Sequence, residues 1–291
     1  MKKVLTIFTP TYNRAYILEK LYNSLLVQSS NNFEWLIVDD GSTDNTKELI
    51  EGWMKEKKII IKYYYQKNQG KSIAHNTGVL KCNTELFTCV DSDDYLTIDA
   101  VEELVNSYES IKNDDFITGI IARKEAINNK NNCKFPNVKY TTLTDLSYKY
   151  NCDCDYLLAY KTYILKKFEF PKIKNEKFVP EIYIYDQIDQ LGKMLFLNKV
   201  LYIYEYLDDG YTVNSKKIIK DNPRGYIIAC RQKMELNNSL KVISKNAIRY
   251  NIGNLIIRNH HFIKELKSFK LKIIVILLYP ISLYAYYKKY K

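Results

Sequence analysis

The chain has 291 residues, of which 46% are hydrophobic and 26% are charged, a composition typical of a globular protein with a sizeable core. It excludes peptide hormones, disulfide miniproteins, collagen-like fibres and a globally disordered chain. The formal net charge of +11 favours anionic ligands. Because no helix-turn-helix, zinc-finger or base-stacking motif accompanies this charge, we do not expect a nucleic-acid partner.

Short runs rich in β-branched and aromatic residues alternate with helical patterns along the first part of the chain. The predicted strands are residues 4–9, 33–39, 59–66, 86–90 and 116–121. The first predicted helix has an apolar face formed by Ile17, Leu18, Leu21 and Leu25. The other predicted helices are residues 46–57, 72–80 and 98–111. This alternation implies parallel strands with right-handed crossovers, so the predicted fold class is α/β, with an open, mostly parallel, Rossmann-like sheet flanked by helices.

The rest of the chain has a different character. Residues 122–215 are less regular and are expected to pack beside the sheet, whereas 216–291 is mainly helical and ends in a basic, apolar tail. We therefore divide the chain into 1–121, 122–215 and 216–291.

The tail contains an almost wholly apolar or aromatic segment, residues 273–287, with lysines on both sides. A helix of this length reaches about 22 Å, short of the roughly 30 Å hydrocarbon thickness of a bilayer. We expect it to lie at an anionic membrane surface, with a buried C-terminal helix as the alternative. The apolar run 4–8 is too short for a signal peptide, so we expect a cytoplasmic protein, peripheral at the inner face of the cell membrane.

Polar clusters follow the first, second and fourth predicted strands. They are residues 9–14 (TPTYNR), 39–44 (DDGSTD) and 91–95 (DSDDY). Ligands of open α/β sheets bind beyond the carboxyl ends of the strands, so we expect these clusters to line one site.

The third cluster crowds the carboxylates of Asp91, Asp93 and Asp94, whose mutual repulsion a divalent cation would relieve. Hard oxygen ligands favour Mg²⁺ or Mn²⁺, which usually keep positions open for substrate phosphates. The same pattern also occurs in surface turns, and Asp94 or Thr97 could instead cap the following helix.

In the other two clusters, Asp39 could accept the N–H of a pyrimidine base, and Tyr12, beside the rigid Pro10, offers an aromatic face for that base. The structural alternatives are a capped βα turn around Asp39 and ordinary packing of Tyr12.

Together these motifs resemble the family 2 glycosyltransferases, inverting enzymes of the GT-A fold. The resemblance rests on four segments in family order: 9–14, 38–44, 68–78 and 91–95. It implies the GT-A fold with a helical C-terminal extension, a nucleotide-sugar donor that is most often a UDP-sugar, and Mn²⁺ or Mg²⁺. It makes 1–121 the nucleotide-sugar-binding half and 122–215 the acceptor side of the domain.

The resemblance also implies roles for individual residues. Asp91 would belong to the ribose or metal shell, and Asp93 would bind the metal that bridges the diphosphate. The residues that would hold the nucleoside are Pro10, Tyr12, Asp39 and Asn68. The other donor-site residues predicted from the same motifs are Thr9, Arg14, Lys71, His75 and Ser92.

His75 departs from the family, which often has arginine at this position. Imidazole is only partly charged near neutral pH, so we expect His75 to hydrogen-bond and Lys71 to supply the missing positive charge. A partly buried packing role is the alternative for His75.

Inversion at an anomeric carbon needs a base that removes the proton of the acceptor hydroxyl. Members of the family carry a Glu-Asp motif after the metal motif, and the matching stretch here is residues 175–183 (NEKFVPEIY). Since Ile182 replaces the usual Asp, Glu181 is the candidate base by register, and Glu176 and Asp186 are the alternatives.

The function implied is hexosyl-type transfer from a UDP-sugar to a hydroxyl of a bacterial surface polysaccharide precursor, linked to polyprenyl diphosphate. A non-catalytic nucleotide-sugar or glycan-binding module, which would lack the base, is the main alternative. A nucleotidyltransferase is less compatible, because no Gly-rich phosphate loop follows the first strand.

Overall fold

The computed structural model describes residues 2–127, 134–205 and 214–290. The chain divides into two units. Unit 1 comprises Met1–Glu169 and Leu191–Tyr206, and unit 2 comprises Phe170–Gln190 and Leu207–Lys291.

Unit 1 begins with alternating strands and helices, close to the predicted bounds. The strands are β1 (Leu5–Thr11), β2 (Phe33–Asp39), β3 (Ile61–Tyr65), β4 (Leu86–Cys89) and the short β5 (Tyr95–Leu96). The helices are α1 (Leu18–Leu26), α2 (Thr46–Glu56), α3 (Lys71–Lys81) and α4 (Ala100–Ile111). The later elements of this unit are β6 (Ile117–Ala126), β7 (Tyr140–Thr141), α5 (Leu143–Tyr148), β8 (Tyr156–Lys161), α6 (Thr162–Leu165) and β9 (Lys193–Tyr204).

All these strands join one sheet in the order β3-β2-β1-β4-β8-β6-β9-β5, with β7 paired to β9. Strands β1 to β4 pair in parallel, as do β6 and β9, whereas β8 runs antiparallel between β4 and β6. Every residue of β1 and β2 is buried, as expected for parallel strands covered on both faces. The predicted α/β class is confirmed.

The core of unit 1 lies between this sheet and its helices. The predicted apolar face of α1 is buried throughout, at Ile17, Leu18, Leu21 and Leu25. Beside it, the Tyr22 ring stacks on the Trp53 ring at 4.2 Å between centroids. These contacts fix the first two helices on one face of the sheet, so the loops that precede them are anchored at the strand ends.

Unit 2 is helical in its described residues. Its helices are α7 (Ile182–Ile188), α8 (Ser215–Asp221), α9 (Pro223–Glu235), α10 (Leu240–Ile256), α11 (Phe269–Leu277) and α12 (Tyr279–Tyr290), with a 3₁₀ turn at Phe262–Glu265. Ile227 and Met234 of α9 pack with Tyr250 of α10 and with Leu271 and Val275 of α11. The predicted helical C-terminal extension is confirmed.

The apolar segment 273–287 lies in two helices, α11 and α12, which are bent by 52° at Leu278. Pro280 lies in the first turn of α12, where its missing N–H removes no intrahelical bond. Among the described residues no single helix is long and apolar enough to cross a membrane, and α11 and α12 reach that criterion only as a bent pair.

Candidate active site

The loops that follow β1 and β2 are joined by hydrogen bonds. Asn13, whose φ of 52° is in the left-handed region that asparagine tolerates, donates its backbone N–H to Ser42 Oγ at 2.9 Å. Its side-chain Oδ1 accepts the Thr43 N–H at 2.8 Å. The first two predicted polar clusters therefore lie side by side at the carboxyl ends of neighbouring strands.

Asp39 ends β2 and is fully buried. One carboxylate oxygen accepts the Ser42 N–H at 2.7 Å, and the other accepts the Tyr63 hydroxyl at 2.8 Å. Burial and the neighbouring Asp39 raise the pKa of Tyr63, so its hydroxyl stays protonated as a donor. Each carboxylate oxygen has two lone pairs, so Asp39 retains capacity to accept a further N–H.

Asp40 holds the next loop against this turn. Its carboxylate accepts the backbone N–H groups of Gln69 and Gly70 at 2.9 and 2.7 Å. Gly41 has a φ of +88°, and a Cβ added there would lie 2.8 Å from the backbone nitrogen of Asn68. The close approach of Asn68 to the β2 turn therefore requires glycine at this position.

The third cluster, Asp91, Asp93 and Asp94, follows β4. The Asp91 carboxylate pairs with the Lys71 ammonium at 2.7 Å, and Lys71 is the first residue of α3. Desolvation pushes the pKa of Asp91 upward, but the charges of Lys71, Lys124 and Arg14 outweigh it and hold the pKa below its usual value. Asp91 is therefore a stably ionised group.

The pKa values of the other two carboxylates, Asp93 and Asp94, are shifted upward. Desolvation and the charge of Asp91 raise the pKa of Asp93, and the same causes raise the pKa of Asp94 to about 7. Asp94 accepts the hydroxyl of Tyr202 on β9 at 2.6 Å, and that hydroxyl also accepts the Asp91 N–H at 3.1 Å. Asp94 therefore does not cap α4, whose N-cap is Asp99.

The carboxylates after β4 have the chemistry of a ligand set for a hard divalent cation. Among the residues that the structure describes, no three His, Cys, Asp or Glu side chains converge as a closed metal cage. Mg²⁺ and Mn²⁺ need no such cage, because one or two carboxylates and substrate phosphates suffice. Asp91 and Asp93 offer hard oxygens, and the repulsion that raises the pKa of Asp93 is what a cation would relieve. The donor set fits these ions.

Two residues that the sequence motifs did not predict lie beside this cluster, Tyr202 and Lys124. The Lys124 ammonium lies 3.7 Å from the centroid of the Tyr202 ring. The predicted strand ended at residue 121, whereas β6 continues to Ala126. The available signal was period-2 alternation, which places Lys124 on the same face as Ile120 and Ala122.

The predicted residues of the β1 loop differ in accessibility. The Tyr12 side chain is 47% exposed, so its ring is free to stack, whereas Pro10 is buried within β1. Arg14 is half-buried, its guanidinium lies 5.8 Å from the centroid of the Tyr16 ring, and its charge lowers the pKa of Asp91.

Three other predicted donor-site residues are buried in unit 1: Thr9, His75 and Ser92. The Thr9 hydroxyl accepts the indole N–H of Trp35 at 3.0 Å, so it has a structural partner. The His75 ring packs edge-on against Phe8 and Phe87, with centroids 5.7 and 5.6 Å away. These ring contacts fit the packing role that was the alternative for His75, and its hydrogen-bonding role stays a prediction.

In unit 2, Glu176 caps the start of α9. Its carboxylate oxygens accept the backbone N–H groups of Arg224 and Gly225 at 3.0 and 2.8 Å. A negative charge at a helix N-terminus satisfies unpaired donors and complements the helix dipole. Both oxygens of Glu176 are thus occupied structurally.

The other two candidate bases lie near α7. Asp186 is buried and forms an ion pair with Lys233 of α9, and burial raises the pKa of Asp186 to about 7. Glu181 is the half-buried residue before α7, and its side chain makes no capping hydrogen bond to that helix. Glu176 and Asp186 therefore hold structural positions, at the start of α9 and in the ion pair with Lys233.

The chain is similar to known proteins in sequence and in structure. The model of the family described as Glycosyl transferase family 2 matches residues 6–168. The uncharacterized glycosyltransferase RC0461 of Rickettsia conorii is 38% identical over 98 residues, which are 34% of this chain and 16% of that protein. TuaG of Bacillus subtilis, named for teichuronic acid biosynthesis, is 31% identical over 102 residues, 35% of this chain and 40% of TuaG. The chain spans less than half the length of these two relatives.

Two solved structures share the fold over almost the whole chain. Staphylococcus aureus TarS 1–349 in complex with UDP aligns with a TM-score of 0.64 at 18% identity, covering 98% of this chain and 88% of that one. The mannosyltransferase PcManGT of Pyrobaculum calidifontis, solved with GDP-Man and Mn²⁺, aligns with a TM-score of 0.58 at 14% identity, covering 99% and 83%. At these identities the likeness concerns the fold alone.

Proposed function

Because the chain belongs to glycosyl transferase family 2, we propose that it is an inverting enzyme that transfers a hexosyl-type sugar from a UDP-sugar to a hydroxyl of a bacterial surface glycan. The observation that carries this proposal is the carboxylate cluster after β4, paired with Lys71. This cluster belongs to the same unit as the loops after β1 and β2, which hydrogen bonds join to each other. Parallel α/β sheets bind their ligands at this edge.

For the nucleoside, Tyr12 is the stacking surface and Asp39 the acceptor of a base N–H. Two facts support these roles: the Tyr12 ring is exposed, and the turn that holds Asp39 is fixed by the Ser42 N–H and the Tyr63 hydroxyl. Asn68 lies beside that turn, where the absence of a Cβ at Gly41 leaves room for its backbone. The TarS structure with UDP supports a uridine nucleotide as the donor.

Asp91 and Asp93 would hold Mn²⁺ or Mg²⁺, as the PcManGT structure with Mn²⁺ suggests for this fold. Such an ion neutralises the charge that develops on a leaving diphosphate. Within the chain itself, Lys71 keeps Asp91 ionised and oriented through their ion pair. Of these two ligands, Asp93 is the one with a raised pKa, so a bound cation would favour its charged form.

Glu181 is the proposed base that removes the proton of the acceptor hydroxyl as that oxygen attacks the anomeric carbon. Two observations support this assignment. Glu181 matches the order of the family motifs, and the alternatives are held elsewhere, Glu176 by hydrogen bonds to α9 and Asp186 by its ion pair with Lys233. The acceptor oxygen attacks from the face opposite the diphosphate, the bond between the sugar and the diphosphate breaks, and this single displacement inverts the configuration at the anomeric carbon.

The donor part of the proposal is tested by calorimetric titration with UDP, GDP, CDP and ADP, with and without Mn²⁺. We expect UDP to bind selectively and more tightly with Mn²⁺, because a metal-bridged diphosphate adds contacts that a nucleoside lacks. Preference for another nucleotide would change the donor class. Failure of all four to bind the folded protein would favour a glycan-binding module without catalysis.

The proposed acceptor is a glycan linked to polyprenyl diphosphate. Because such an acceptor is anchored in a membrane, we propose that the chain is peripheral at the inner membrane face. Helices α11 and α12 expose a set of large apolar side chains: Phe269, Ile273, Ile276, Leu277, Ile281, Tyr284 and Tyr287. Exposed lysines flank the set at Lys267, Lys270, Lys288 and Lys289. Apolar side chains bordered by cations are suited to the interface of an anionic leaflet.

The membrane proposal predicts that the double variant Ile276→Asp, Leu277→Asp loses roughly a hundredfold in affinity for phosphatidylglycerol-containing vesicles in a sedimentation assay. Burial of each such side chain stabilises by about 1.5–3 kcal/mol, and both are at least half exposed, at 51% and 69%. Leu240→Asp, at 62% exposure on α10, is the matched control and should bind as the wild type does. Equal binding by the double variant would refute the membrane surface.

A further inference from the structure

Lys124 is a half-buried lysine on β6 whose ammonium has no carboxylate or hydrogen-bond acceptor among the described residues. The ammonium lies over the face of the Tyr202 ring, 3.7 Å from its centroid. The residues on either side of it differ in this respect, because Arg123 and Glu125 form an ion pair at 3.6 Å. Lys124 therefore keeps three N–H donors for another partner.

The position of this ammonium relates it to the carboxylate cluster. The hydroxyl of the same Tyr202 ring donates to Asp94 and accepts the Asp91 N–H. The charge of Lys124 lowers the pKa of Asp91 and opposes the rise in the pKa of Asp94. Lys124 thus lies at the edge of the proposed donor site, although no predicted motif contains it.

Lys71 and Lys124 differ in what they bind. The Lys71 ammonium is committed to Asp91 at 2.7 Å, whereas Lys124 influences the same carboxylate only through its charge. A half-buried ammonium with no anionic partner is costly, because it has lost part of its hydration. A ligand anion that enters the cluster would compensate that cost.

We propose that Lys124 binds a phosphate oxygen of the donor diphosphate and is a donor-recognition residue of this enzyme. The proposal rests on the proposed function, which brings a diphosphate to this cluster. The cation–π contact with Tyr202 holds the ammonium in place before the ligand arrives, so little side-chain freedom is lost on binding.

The test compares UDP with uridine in calorimetric and competition titrations at fixed Mn²⁺. We expect Lys124→Gln to weaken UDP binding at least tenfold and to leave uridine binding unchanged, because charge-assisted hydrogen bonds to phosphate are among the strong ones. Lys124→Arg should restore UDP binding to within a few-fold. The matched control is Lys81→Gln, since the Lys81 ammonium also lies over a tyrosine ring, that of Tyr64 at 5.1 Å.

Several outcomes would overturn the assignment. Wild-type affinity of Lys124→Gln for UDP would remove Lys124 from the donor site while leaving the proposed function intact. Equal losses for UDP and uridine would indicate a structural role instead of a phosphate contact. If the folded wild-type protein binds neither compound, the proposed donor falls, and the Lys124 assignment falls with it.

Discussion

The Asp93→Asn variant should lose sugar transfer by about 10³-fold or more in kcat, because the developing charge on the leaving diphosphate would no longer be neutralised. The substitution keeps the shape of the side chain and removes only its charge. The measurement is release of UDP from the preferred UDP-sugar, with Mn²⁺ titrated for both proteins. Substantial residual transfer that still depends on Mn²⁺ would remove Asp93 from the metal site.

Thermal stability is the control for a loss of folding, because the pKa values of Asp91 and Asp93 are shifted in opposite directions. The raised pKa of Asp93 means that its ionisation costs stability as pH rises through the window between the unfolded and folded values. The thermal midpoint of Asp93→Asn at neutral pH should therefore equal or exceed that of the wild type. The lowered pKa of Asp91 means that its charge stabilises the fold above its unfolded pKa, so Asp91→Asn should lower the midpoint by removing the ion pair with Lys71.

The sequence was sufficient for the first part of unit 1 because the information there is local. Strand runs of β-branched residues alternate with amphipathic helices, and the polar clusters fall where each strand ends. The predicted face of α1 is buried, and the turn around Asp39 is capped as its Asp-Gly-Ser pattern suggests. The clusters meet because parallel strands share one carboxyl edge.

The second half was harder to predict because its structure depends on distant pairings. Strand β8 enters the sheet antiparallel between β4 and β6, and β9 pairs with β6 through several register shifts. Neither pairing leaves a local signal, so residues 122–215 were predicted only as irregular. Lys124 was missed for this reason: at a strand end, Arg-Lys-Glu is typical of a solvated turn until β9 places Tyr202 beside it.

The candidate base shows the same dependence on tertiary structure. From the sequence, register with the family motif made Glu181 the candidate base, and Glu176 and Asp186 were the alternatives. The fold separates them, because Glu176 satisfies the first N–H groups of α9 and Asp186 is paired with Lys233 inside unit 2. Both carboxylate oxygens of Glu176 are therefore committed to α9, and Asp186 is committed to a buried ion pair.

The Glu181→Gln variant should therefore reduce kcat by about 10²–10⁴-fold while the Kd for UDP stays unchanged, since glutamine keeps the shape but cannot take the acceptor proton. Glu176→Gln is the matched control: it should lower the thermal midpoint, because the charge at the start of α9 is lost, yet retain transfer well below that midpoint. Single-turnover transfer and UDP titration separate the two effects. If Glu181→Gln transfers sugar at the wild-type rate, the proton must go to a different acid, and the register with the family motif does not identify the base.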